Sequence, residues 1–378
     1  MDSLTLVTGY WPQKHELVRS GQVYVRLFEE LLVHLDGRLP VVVRADPSVE
    51  DGCRALAARW PDRVIVDPLP YESLKYPAQR ARFEQLSPAG NSFMLRDTLE
   101  YSMLVWSKFD VVLGAAHTNP FNTSHFGWID FGIPHVSTLQ GVDWNEVEAE
   151  STRSDRIRIC ERMATSPSEV EEPFYFYSTN SARIAGGFLT GTREGLEQLV
   201  ELFDGEIARM EKTGTYVLEE QILAAATALK PDLFEKWYAN YMSVLTNVRH
   251  IKYDAGFVIE NLRNCRDQEL WENGRDIAEV LLSSANAYHH LLPEECFHLL
   301  DCGLQCALRT DADLAERLAK TALSLFHYSR VGRGMMKGTW RKSIQESLAH
   351  YNLDFSKKPW TWEEFAAQPD FRVWLVCF

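Results

Sequence analysis

Apolar residues come in two rhythms along this chain. Short unbroken runs, Leu4-Thr5-Leu6-Val7-Thr8, Val41-Val42-Val43 and Val64-Ile65-Val66, read as buried strands. Between them Val23, Leu27, Leu31 and Leu35 repeat at helical spacing, and Val49–Trp60 reads as a second helix. This β-α-β-α-β order predicts a parallel sheet with right-handed crossovers, a nucleotide-binding type of half-domain. Residues 70–94 break the rhythm with Pro70, Pro77, Pro88 and Gly90. A connection that long is a flap or a disordered insert, and it carries Lys75, Arg80 and Arg82.

Leu95, Leu99, Met103, Trp106, Phe109, Leu113 and Ala116 then step by 4, 4, 3, 3, 4 and 3, which predicts one long amphipathic helix. On it, Arg96 and Lys108 either meet a phosphate or are solvated helix charges. A polar loop, His117–His125, leads into Trp128-Ile129-Asp130-Phe131-Gly132. A carboxylate in so apolar a run must reach an open edge, meet a cation or donors, or carry a large desolvation cost. Asp130 is therefore the first candidate for chemistry; the structural alternative is a turn cap beside Gly132.

Arg183–Gly191 contains Gly186 and Gly187 and precedes a helix with Leu196, Leu199, Val200, Phe203, Ile207 and Met210 on one face. Gly186, Gly191, Thr192 and Arg193 do not complete a P-loop, and no GxGxxG follows the first strand, so a dinucleotide cofactor is not expected. The paired glycines suit close backbone approach to a ligand, or a tight strand-to-helix turn. Glu219-Glu220-Gln221 opens a short helix that ends at Lys230-Pro231. Acids in a first helical turn also suit the helix dipole alone.

From about residue 250 strand-like runs disappear, and Ile277, Leu281, Ala285, Tyr288, Glu294–Leu308 and Asp311–Phe326 read as helices without a clear repeat period. His289, His290, Cys296, His298, Cys302 and Cys306 fit no zinc spacing. Arg330, Arg333, Lys337, Arg341 and Lys342 form a glycine-rich basic stretch, either a linker or a loop that closes over a diphosphate. The aromatic tail Trp360, Trp362, Phe365, Phe371, Trp374 and Phe378 packs back on the body or into a homodimer contact.

Composition narrows the function classes. With 378 residues the expected division is 1–250 and 251–378, an α/β domain and a helical extension. The net charge of −14 argues against nucleic acid and against a broad anionic-membrane surface. No apolar run predicts a transmembrane segment, so a cytoplasmic protein, at most peripheral to a membrane, is expected. Seven cysteines without a CxxC pair suit a reducing compartment.

Lys108, Asn119-Pro120-Phe121 and Trp128-Ile129-Asp130-Phe131-Gly132-Ile133 resemble the signature of the HtrL/YibB-type (WlaTC-like) family of bacterial proteins read as glycosyltransferases, over roughly residues 1–250. The resemblance implies a GT-A-like, Rossmann-type mixed sheet and transfer of a sugar from a nucleotide-sugar donor to a saccharide or glycolipid acceptor, as in surface polysaccharide synthesis. It implies that Thr8 and Tyr10 contact the nucleotide and that Arg96 and Lys108 contact the diphosphate or sugar. Trp128, Gly186, Gly187 and Gln221 would complete the donor site. Asp130 would meet the metal or donor sugar, and Glu219 or Glu220 would act as general base toward the acceptor hydroxyl if the reaction inverts. A divalent cation, Mn²⁺ or Mg²⁺, is implied, yet Asp130 stands alone where many GT-A enzymes carry Asp-x-Asp. Two rival readings are a catalytically silent interaction module and a different nucleotide-using transferase.

Overall fold

The computed structural model describes residues 3–12, 21–92, 97–284, 293–328 and 359–368. They fall into two compact units, the first being residues 1–161, 165–237 and 244–249, the second 162–164, 238–243 and 250–378.

The first unit is α/β. Strands β1 (Leu4–Tyr10), β2 (Val41–Ala45) and β3 (Val64–Pro68) alternate with helices α1 (Gly21–Leu35) and α2 (Glu50–Ala57). The strands pair in parallel, Leu6 opposite Val41 and Val42 opposite Ile65, as the sequence predicts. After the short elements α3 (Arg80–Phe83) and β4 (Ser87–Pro88), the chain passes through α4 (Leu99–Trp106) and α5 (Lys108–Thr118) into β5 (His125–Ile129). Strand β5 lies parallel to β1 on its other side. Helix α6 (Trp144–Ser151), β6 (Ile157–Glu161), α7 (Pro167–Val170) and α8 (Pro173–Phe176) precede β7 (Ile184–Thr192). Helix α9 (Arg193–Glu211), β8 (Thr215–Tyr216), α10 (Glu219–Leu229) and β9 (Phe234–Tyr238) complete the unit. The sheet order is β3-β2-β1-β5-β7-β6-β9, and β7 runs antiparallel to both β5 and β6. The fold is thus a mixed, mostly parallel seven-stranded sheet flanked by helices.

Two expectations change. The long helix is two, with the break at Ser107, whose hydroxyl donates to the Met103 carbonyl at 2.8 Å. A serine that bonds back one turn competes with the helix ladder and bends it. Nor is 70–92 a flap over a ligand. Leu74, Tyr76 and Phe83 are buried in the core, Lys75 pairs with Asp110 (2.9 Å) and Asp204 (2.7 Å), Arg80 with Glu100 (2.6 Å), and Arg82 with Glu211 (2.7 Å). Its basic side chains are spent fastening the strap to α4, α5 and α9.

The second unit is helical: α11 (Ala255–Asp267), α12 (Trp271–Leu282), α13 (Pro293–Thr310), α14 (Ala312–Tyr328) and α15 (Trp362–Ala366). Cys265, Cys302 and Cys306 are core residues there, and burial pushes the Cys302 and Cys306 thiols up to about 12. Trp360 and Phe365 stack at 6.0 Å, and Phe365 is buried in the helical core. Arg96, His289, His290, the basic stretch from Arg330 to Lys342, and the tail residues Phe371, Trp374 and Phe378 lie outside the described residues. Among those described, no helix is long and apolar enough to cross a membrane.

The β5–β7 pairing depends on Gly127, because a Cβ there would stand 2.6 Å from the Thr190 methyl and 2.9 Å from the Leu189 carbonyl oxygen. Gly127→Ala should therefore cost about 1–3 kcal/mol of stability in urea unfolding. Unchanged stability would contradict this account of the pairing.

Candidate active site

The site forms where four elements end together. Strand β5 delivers Trp128 and, one residue past its end, Asp130. The antiparallel register sets Trp128 opposite Leu189 and Ile129 opposite Phe188, and it continues as Asp130 N–H donates to the Gly187 carbonyl at 2.9 Å. The break at Ser107 makes Lys108 the first residue of α5, and Glu219 is the first residue of α10.

These ends bring three charges into contact. Lys108 Nζ lies 2.7 Å from Glu219 Oε1 and 3.0 Å from Asp130 Oδ1. Trp128 Nε1 donates to the same Asp130 oxygen at 2.6 Å, and the ammonium lies 5.6 Å from the Trp128 ring centre. Exposure divides the roles: the side chains of Lys108 and Glu219 are 8% and 7% exposed, whereas that of Asp130 is 33% exposed. Solvent reaches the centre through Asp130. Burial alone would lower the Lys108 pKa, but the Asp130 and Glu219 carboxylates outweigh it and the net shift is upward. The lysine is charged throughout the physiological range.

The paired glycines have a plain reason. A Cβ on Gly186 would stand 2.7 Å from Glu219 Oε1, and one on Gly187 would stand 3.2 Å from Asp130 Oδ2. The close approach is made by the protein's own carboxylates. Glu220 joins from the next position, accepting from the Gly186 N–H at 3.1 Å.

Tyr10, at the end of β1, stacks on Phe131 (5.2 Å) and on Tyr24 of α1 (5.0 Å), so an aromatic wall adjoins Asp130. Tyr101 of α4 is within electrostatic reach: burial first, then Glu219, raises its phenol pKa, with Lys108 opposing. The sequence reading missed Tyr24 and Tyr101. Tyr101 precedes Lys108 by seven residues, two helical turns, a spacing that would have placed both on one face.

Other candidates are not gathered here. Thr8 is wholly enclosed in β1, its hydroxyl without a hydrogen-bond partner among the described residues. Gln221 is spent on the 176–181 loop, accepting from Ser181 N–H at 2.9 Å and donating to the Phe176 carbonyl at 2.8 Å.

A divalent ion does not fit the donor set as it stands. Hard cations take several oxygens, but one oxygen of Asp130 and one of Glu219 already hold the ammonium. Among the described residues, no group of three or more His, Cys, Asp and Glu could hold a metal.

Residues 94–247 match a family model described as "Bacterial protein of unknown function (HtrL_YibB)". The matched stretch covers less than half of the chain. That segment contains Lys108, Trp128, Asp130, Gly186, Gly187, Glu219 and Glu220, the whole charged centre, while β1 to β3 precede it. Among solved structures, the apo form of mouse xyloside xylosyltransferase 1 is similar at 11% identity over 62% of this chain and 84% of that one. Its TM-score is 0.35, too loose a superposition to carry anything over. Comparison with curated proteins finds no match.

The ion triad has a stability signature. Because the Lys108 pKa is raised on folding, the contribution is complete below the unfolded lysine value of about 10.4 and is lost as pH rises through the higher folded value. Urea stability of the wild type should fall above about pH 10 more steeply than that of Lys108→Met. Identical pH profiles would contradict this. At neutral pH, Glu219→Gln should cost about 3–5 kcal/mol, since it leaves a buried ammonium short of one partner.

Proposed function

We propose that the Asp130–Lys108–Glu219 centre is the donor end of a glycosyl-transfer site, moving a sugar from a nucleotide-sugar to a saccharide or glycolipid acceptor. The supporting observation is a buried ammonium fixed between two carboxylates, one still open to solvent, at the carboxyl edge of parallel strands. That edge is where α/β sheets bind ligands.

The chemistry assigns a role to each group. As the bond from sugar C1 to the diphosphate oxygen breaks, its electron pair leaves on that oxygen, and a nearby cation must offset the charge. Lys108 supplies it. The acceptor oxygen forms the new bond to C1 and its proton passes to a carboxylate. Asp130 is our choice for that carboxylate. Glu219 is 5% exposed and bonded to Lys108, and Glu220 holds the Gly186 N–H, so both act as positioning residues. Tyr24, stacked on the buried Tyr10, offers the flat apolar face that a base or sugar ring needs.

A second reading, a catalytically silent interaction module, draws on the fact that each carboxylate of the centre already has an internal partner. Thermal-shift screening against nucleotide sugars separates the two, because a donor at 100 times its dissociation constant stabilises by about 2.7 kcal/mol. A shift with nucleotide sugars is expected. No shift with any nucleotide would favour the module, and a shift with nucleoside triphosphates alone would favour nucleotidyl transfer. With the active donor, Asp130→Asn should lower turnover by about 10²–10⁴-fold while the circular dichroism spectrum persists. Near-wild-type turnover would reject the assignment.

A further inference from the structure

We infer that Lys108 is the resident cation of this centre and that no divalent ion enters it, an inference that rests on the donor-site reading above. Each oxygen facing the ammonium is already committed. Asp130 Oδ1 forms an ion pair with Lys108 Nζ at 3.0 Å and accepts from Trp128 Nε1 at 2.6 Å, and Glu219 Oε1 accepts from Lys108 at 2.7 Å. Glu220 is turned to the Gly186 N–H. Asp130 Oδ2 faces Gly187, whose Cβ, if one were present, would stand 3.2 Å from it. Among the described residues no group of three or more His, Cys, Asp and Glu could hold a metal, and the ammonium on Asp130 Oδ1 and Glu219 Oε1 repels a second cation.

The lysine can do the ion's electrostatic work. An ammonium has three donors, and among the described residues two carboxylates engage it. A hydrogen not given to Glu219 is left for a phosphate oxygen of the departing diphosphate. Being covalently part of α5, this cation cannot be chelated away. Glu219, buried behind it, keeps it charged and in place; removing the ammonium would leave two facing carboxylates with nothing between them.

The test is a Mn²⁺ titration of the full chain, followed by the electron paramagnetic resonance signal of free Mn²⁺. Wild-type protein is expected to show no stoichiometric site below about millimolar Mn²⁺. Lys108→Met, which frees the two carboxylates at similar side-chain volume, should bind roughly tenfold or more tightly than wild type. A folded Lys108→Met variant that binds no better contradicts the claim that the ammonium keeps the ion out. Stoichiometric wild-type binding that disappears in Asp130→Ala overturns the inference outright, and this measurement decides the matter if Lys108→Met does not fold. The titration needs no donor. A chain that binds neither nucleotide sugars nor Mn²⁺ would reject the transfer reading while leaving Lys108 as the centre's cation, whereas a chain that binds both would do the reverse.

Discussion

The hydrogen bond from Asp130 N–H to the Gly187 carbonyl is one contact, but it fixes the register in which two distant segments meet. A slip of one residue between β5 and β7 would turn every side chain to the opposite face. Gly127 lets the strands approach, the Trp128–Leu189 and Ile129–Phe188 pairs follow, and Asp130 emerges where β5 stops. Because β7 is antiparallel in a sheet otherwise begun in parallel, its first residues, not its last, meet the carboxyl end of β5. Gly186 and Gly187 therefore lie at the same edge as Asp130.

The charges that gather there are not explained by stability. Burying an ammonium and a carboxylate costs several kcal/mol per ion before their attraction is counted, and apolar replacements commonly do as well or better. A chain with a well-filled core of tryptophan, phenylalanine and leucine has no need of such a triad to fold. Retaining it at a partly open strand end suits a site that must present positive charge without solvent to screen it. The surrounding phenols are consistent with that: the Tyr101 pKa is raised by burial and by Glu219, so the ring stays neutral beside the ion pair.

Much of this was legible in the sequence because apolar period and turn residues are local signals. The parallel first half, the strand end at Trp128-Ile129-Asp130 and the opening of α10 at Glu219 all follow from such signals. The triad was legible only as separate pieces. Nothing in the spacing of Lys108, Asp130 and Glu219 says that three chain segments meet; that is set by the β5–β7 register and by a helix break at Ser107 that the unbroken apolar rhythm conceals. The same rhythm hid the strap. Lys75, Arg80 and Arg82 look like free cations until Asp110, Asp204, Glu100 and Glu211 are brought beside them by folding. Strands β6 and β9 were missed since Ile157–Glu161 and Phe234–Tyr238 mix charged and apolar residues that tertiary ion pairs, such as Lys236 with Glu161 at 2.5 Å, later accommodate. The glycines were read as room for a ligand, and the room proves to be filled by Glu219 and faced by Asp130.

The most direct measurement of the central claim is a crystal structure with a bound nucleotide sugar or its nucleoside diphosphate. The account predicts a phosphate oxygen within hydrogen-bond distance of Lys108 Nζ, the sugar against Asp130 and Gly187, and the base beside Tyr10 and Tyr24. A ligand bound elsewhere, with Lys108 still enclosed by its two carboxylates and touching nothing else, would contradict it.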